Sequence, residues 1–196
     1  MKKWISLALA LVLTLSLAAC AQNGGNTAND NTTPSETTPS EETAPAAISD
    51  SLETLYGKID SAVPFEVGRE TMTLDLSDTS EEGTYRFSST TGLTSADAVS
   101  EVLVNEPFIG SIAYSLVLVR VKDSADAKSV AQDMHDGINP RKWVCVEADD
   151  LMVVGKADVV MLVMIASDFA EDGVTAQSFV DAFSAACGGL DFTIGA

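Results

Sequence analysis

The run Ser115-Leu116-Val117-Leu118-Val119-Arg120-Val121 constrains this chain more than any other segment. Successive side chains of a strand point to opposite faces, so a half-solvated strand alternates apolar with polar residues. Here Leu116 and Leu118 make one face apolar, while Val117, Val119 and Val121 make the other so. Residues 112–121 therefore predict a central strand, covered on both sides or nearly so. A sheet has to be built around it.

The other periodicities supply that sheet and its cover. Residues 159–165 predict a second buried strand, paired through a hairpin turn at Gly155-Lys156-Ala157-Asp158 with an extended segment at 151–154. Residues 102–104 are strand-like and run into turn chemistry at Glu106-Pro107-Phe108-Ile109-Gly110. Met72, Leu74 and Leu76 alternate with Thr71, Thr73 and Asp75 as a short half-buried strand; residues 143–146 read as extended and 190–194 as a short edge strand. Ile48, Leu52, Leu55, Ile59 and Ala62 recur at helical spacing behind an Asp50/Glu53 capping box, and Pro64 ends that helix. Asp78 with Glu81 opens a weaker helix through Phe87 that stops at Gly92. Ala127, Val130, Ala131, Met134 and Ile138 share one face of a third helix, closed by Gly137 and Pro140. A fourth, over 175–186, carries Phe179, Ala182, Phe183 and Ala186 inward and ends at Gly188-Gly189. The expected class is α+β: a two-layer domain with a mainly antiparallel sheet and helices packed on it.

Ahead of this domain the composition changes twice. Lys2 and Lys3 precede an apolar stretch over 4–17 that is short for a bilayer span, and Leu17-Ala18-Ala19-Cys20 closes it. That arrangement resembles a bacterial lipobox, which implies a signal peptide over 1–19, cleavage before Cys20 and a diacylglyceryl group on its sulfur. An ordinary secretory signal cut near Ala19 or Ala21 is the alternative. Residues 21–47 contain no Leu, Ile, Val or aromatic residue and repeat Thr-Thr-Pro-Ser-Glu at 32–36 and 37–41. Such a stretch buries too little apolar area to offset chain entropy, so residues 20–47 are expected to form a disordered Thr/Ser/Pro/Glu linker, a plain spacer or a carrier of O-linked sugar. As a coil its ends would lie on the order of 30 Å apart. Residues 48–196 are then a single domain, lipid-anchored on the extracytoplasmic face of the cell membrane.

Charge narrows the partners. With 29 acidic and 11 basic residues the formal net charge is −18, and it becomes more negative once Lys2 and Lys3 leave with the leader. Such a surface repels phosphate backbones and anionic headgroups, which argues against nucleic acid and leaves membrane attachment to the lipid on Cys20. Two acyl chains hold a protein where one does not, at about 0.8 kcal/mol per buried methylene.

With Cys20 lipidated, Cys145 and Cys187 remain. They either close a disulfide, stabilising the fold by about 4 kcal/mol through loop entropy, or stay as buried thiols among apolar neighbours. Arg141-Lys142-Trp143 is the one basic-aromatic cluster of an acidic domain; it either seats a carboxylate or phosphate or anchors a turn, Trp143 inward and the cations solvated. Glu147-Ala148-Asp149-Asp150 and Asp75-Leu76-Ser77-Asp78 lack the EF-hand pattern and read better as turns and helix caps than as calcium ligands. His135 lies at the edge of an apolar helix face with no nucleophile signature beside it, Gly188-Gly189 follows a helix instead of opening one, and no metal ligand set or cofactor motif stands out.

The segments Glu106-Pro107-Phe108-Ile109-Gly110-Ser111-Ile112-Ala113-Tyr114, continuing through Asp123, and Asn139-Pro140-Arg141-Lys142-Trp143-Val144-Cys145-Val146 are similar to a family of small Gram-positive lipoproteins that carries a domain-of-unknown-function label. The likeness spans about residues 52–186. It implies an exported lipoprotein with an α+β domain and assigns no activity. The expectation is a non-enzymatic interaction module of the cell envelope, meeting another envelope protein or a wall component. The alternative is a small-ligand binding lipoprotein with its site near Arg141 and Trp143.

Overall fold

The computed structural model describes residues 46–195; the expected leader at 1–19, Cys20 and the linker up to 45 lie outside the described residues. The strands are β1 (Arg69–Thr73), β2 (Val99–Pro107), β3 (Tyr114–Val121), β4 (Asp150–Lys156), β5 (Val159–Ile165) and β6 (Phe192–Ile194), and the helices α1 (Leu52–Ala62), α2 (Glu81–Thr91), α3 (Ala127–Gly137) and α4 (Ala176–Cys187). The strands form one sheet in the order β1-β2-β3-β5-β4-β6. Every pairing is antiparallel.

The apolar β3 sits inside that sheet, hydrogen-bonded to β2 on one side and β5 on the other. One face, with Tyr114, Leu116, Leu118, Met161 and Val163, packs on Leu52, Leu55 and Ile59 of α1 and Phe179, Val180 and Phe183 of α4. The opposite face, with Val117, Val119, Val160 and Leu162, packs on Ala127, Val130, Ala131 and Met134 of α3. The α+β class with an antiparallel sheet and packed helices is what the chain forms. Helices stand on both faces, so the layers number three where the sequence reading counts two. The reason is physical: β3 and β5 are apolar on both faces, and neither face can be left to water.

Local chemistry sets the boundaries. Ser51, not Asp50, caps α1: its hydroxyl accepts the Thr54 N–H at 3.1 Å. Thr175 caps α4 in a reciprocal capping box with Ser178, and Gly188 ends it in the left-handed region at φ 77°. Gly92 ends α2 at φ 78°, and a Cβ there would lie 2.5 Å from the Met134 carbonyl oxygen, while one on Gly137 would strike the Gly92 carbonyl. The ends of α2 and α3 therefore meet backbone to backbone, which only glycine permits.

At the β3 C-terminal end the segment that leads into α1 is clasped. Arg120 donates to the Ile48 carbonyl at 3.0 Å, the Asp50 carbonyl at 2.6 Å and the Asp158 carboxylate at 2.6 Å, and Asp158 accepts the Ile48 N–H at 2.7 Å. At the other end of β3 the Tyr114 ring packs with Phe65 and Phe179 under Arg69, which pairs with Asp60 at 2.6 Å.

Candidate functional site

The end of the sheet where β2 stops and β3 begins collects most of the sequence-predicted site. Residues 108–113 join β2 to β3, and the segment 138–149 leaving α3 crosses the same end. The two are tied together where the Val144 N–H donates to the Gly110 carbonyl at 3.0 Å; the first loop is also tied to the residue before β1, through the Phe108 N–H to the Gly68 carbonyl at 3.1 Å. Residues 143–146, expected as extended, belong to no strand; 143–145 form bends. Closing the loop on itself, through the Ala148 N–H to the Pro140 carbonyl at 2.9 Å and a positive φ of 64° at Cys145, removes them from any ladder.

The Arg141-Lys142-Trp143 cluster is split by this loop. Lys142 turns inward, its Nζ donating to Glu106 Oε1 at 2.5 Å and lying 3.3 Å from Ser115 Oγ. The Ser115 hydroxyl donates to the same Glu106 oxygen at 2.7 Å. Burial pushes the Lys142 ammonium below its ordinary range, and the Glu106 carboxylate opposes that shift. Ser115 is fully buried, and through Glu106 Oε1 the trio latches the loop to the sheet instead of offering an anion seat. Arg141 stays exposed, paired through Nε with Glu147. Trp143 is half-buried against the α3-side core, with Lys142 Nζ 5.3 Å from its ring centroid. Arg141 and Trp143 share a shallow depression of about 360 Å³ with Cys145, Val146 and Glu147; Lys142 does not line it.

The Cys145–Cys187 disulfide does not form, and both thiols are free. Cys145 is exposed on the loop at the start of β3, whereas Cys187 ends α4 near Arg120 and Lys58, at the other end of that strand. From Tyr114 to Arg120 is about 20 Å of strand, and a disulfide needs Cα atoms within about 7 Å. Burial pushes the Cys187 thiol up to about 11. Cys145 is not the buried thiol of the other reading either.

The acidic runs serve turns and caps. Asp149 accepts from the Ser167 N–H at 2.6 Å and hydroxyl at 2.7 Å, which holds its carboxyl below the usual range. Asp150 caps α4 through the Ala176 N–H at 2.8 Å. Asp75 and Asp78 hold Ser77 and Ser80 in the same manner and are lowered for the same reason. Among the described residues no three His, Cys, Asp or Glu side chains are placed to hold a metal ion. His135 Nδ1 lies 2.9 Å from Asp136 Oδ1 on the helix surface.

What periodicity did not reveal is the apolar tip of this end. Phe108, Ile109 and Val144 are 66%, 56% and 71% exposed. The sequence signal was available in Pro107-Phe108-Ile109-Gly110, where two large apolar residues sit inside turn chemistry. Glu106 and Ser115 were also missed, because a polar residue at a strand end reads as solvent-facing until the opposite loop covers it. No family model matches this chain, and neither a curated protein nor a solved structure matches it.

Proposed function

We propose that this chain is a lipid-anchored, extracytoplasmic interaction module of the cell envelope, non-enzymatic, with Cys20 carrying the lipid and residues 20–47 serving as tether. One observation carries the reading. Ile48 and Asp50, which lead into α1, are clasped by Arg120 at one end of β3. The exposed Phe108, Ile109 and Val144 belong to the loops at the opposite end. A domain tethered through residues 46–50 would present these exposed apolar side chains away from the tether, free to meet a partner. The partner would be an envelope protein or a wall component.

Two experiments test this. Replacing Cys20 by serine should release the chain from the membrane fraction on cell fractionation; unchanged sedimentation with vesicles refutes the anchor. A photo-crosslinking side chain at position 109 or 144 should trap one reproducible species, lost in Phe108→Asp, while the same probe at Lys128 on α3 traps none. Equal trapping from both faces, or measured turnover of a substrate, refutes the module.

The depression shared by Arg141 and Trp143 favours a second reading, a small anionic ligand held by Arg141 beside the indole. A ligand raises the melting temperature by mass action. If no metabolite does so in the wild type, or if Arg141→Ala leaves such a shift intact, this reading falls.

A further inference from the structure

Helix α2 covers the sheet incompletely. Its buried residues, Thr90 and Thr91, lie in its last turn, and Tyr85 is 71% exposed. A cleft of about 610 Å³ is left between α2 and the β1–β2 face, with Met72 and Val104 apolar beside Glu70 and Glu106 on the strand side. That volume falls within the range of small-molecule sites, roughly 300–1,000 Å³.

Two polar groups there lack partners, and a third keeps one oxygen free. Thr90, 7% exposed, makes no hydrogen bond through its hydroxyl among the described residues, whereas the neighbouring Thr91 hydroxyl donates to the Phe87 carbonyl at 2.8 Å. No described polar side-chain atom is both sealed and unpaired, so the Thr90 hydroxyl opens to the cleft it lines. Glu106 spends Oε1 on Ser115 and Lys142 and leaves Oε2 unbonded. Glu70, cross-strand from Glu106, has no ion-pair partner among the described residues. The one cation lining the cleft, Arg86, is paired with Glu82 at 3.4 Å.

We propose that this cleft binds a primary alkylammonium group, with its N–H donors on Glu70, Glu106 and the Thr90 hydroxyl and its methylenes on Met72, Val104 and the Tyr85 ring. A carboxylate without a cation at Glu70, beside the free Oε2 of Glu106, asks for a ligand that is all donor, which an ammonium is. Apolar surface beside them asks for an alkyl chain, and an exposed aromatic ring adds a cation–π contact. The chain's negative field concentrates cations at the mouth. The group could reach the cleft on a free diamine or at the end of a lysine side chain; the recognition chemistry is shared.

The test is isothermal titration calorimetry of the full-length chain in detergent with 1,5-diaminopentane, N-acetyl-lysine methylamide, 1-pentanol and calcium chloride. Saturable binding of either amine is expected, weakened by salt through screening. Diamine alone identifies a free amine as the source, the lysine amide alone a side chain, and both fit the proposal. Glu70→Gln should weaken binding about tenfold and Thr90→Val about threefold, as losses of a charge-assisted and a neutral contact. Glu70 is exposed, so its variant should keep the wild-type melting temperature without amine; should Thr90→Val not fold, Glu70→Gln decides. The proposal is overturned if neither amine saturates by about 10 mM. It is equally overturned if Glu70→Gln leaves affinity unchanged, if pentanol binds as tightly as the diamine, or if calcium displaces the amine.

Discussion

Lys142→Met would isolate the latch that holds the 138–149 segment to the sheet. In the native chain Lys142 and Glu106 are 13% and 27% exposed at the side chain, so both charges are largely withdrawn from water. Methionine fills much the same volume, so the cavity contribution stays small and the cost is electrostatic. Removing one partner of a fully buried pair costs about 3–5 kcal/mol, because the other charge is left uncompensated. Glu106 keeps a quarter of its exposure and the Ser115 hydroxyl, which lowers the expected loss to about 2–3 kcal/mol. For a domain of this size that corresponds to a fall of roughly 5–10 °C in melting temperature.

Glu106→Gln should cost less, because the ammonium left behind can shed its proton. Its sign with pH is then defined. Burial already holds the Lys142 pKa below its unfolded value, and losing the carboxylate lowers it further. Between the two values the unfolded chain binds more protons, so stability rises with pH there, and the deficit of Glu106→Gln should shrink as pH approaches the lysine range. Replacing both residues, Lys142→Met with Glu106→Gln, should recover part of the loss, because neither charge is then left without its partner. Urea unfolding at several pH values measures all four corners of the cycle. A loss under about 0.5 kcal/mol for Lys142→Met, or a double variant as unstable as the sum of the singles, would refute a coupled buried pair.

Three further expectations follow from other parts of the molecule. Thiol alkylation at pH 8, read by peptide mapping, should modify exposed Cys145 well before Cys187, whose thiol stays protonated because burial raises it to about 11; equal rates would contradict the placement of both. Gly137→Ala should destabilise by about 2 kcal/mol or more in a thermal melt, because the added methyl meets the Gly92 carbonyl where α2 and α3 abut; a change within about 0.5 kcal/mol would mean that contact is not close. Asp191 is lowered by Lys156, whose Nζ lies 2.6 Å away, and by the Ala157 N–H, so its contribution is complete above the unfolded carboxylate range and is lost as pH falls through the folded value. Asp191→Asn should therefore flatten the acid limb of the stability–pH curve, and an unaltered limb would remove Asp191 from that account.

The elements were legible because they are local. A strand apolar on both faces, amphipathic spacing in α3 and α4, and glycine at 92 and 188 each report themselves within a few residues, since periodicity and backbone freedom are properties of short segments. Where the reading erred, a distant contact intervened. Residues 143–146 have β-formers and would extend, yet Lys142 is drawn to Glu106, 36 positions away, and the loop bends around it.

The amino-acid order alone thus determined the antiparallel α+β class, the helix stops and the acidic surface, all consequences of nearest-neighbour chemistry and summed charge. Only the folded chain decided the third layer, the free thiols, the inward turn of Lys142 and the cleft beneath α2. Those depend on which groups far apart in sequence reach hydrogen-bonding distance, and on which polar atoms packing leaves without a partner. Neither quantity exists until the sheet has closed and both of its faces are covered.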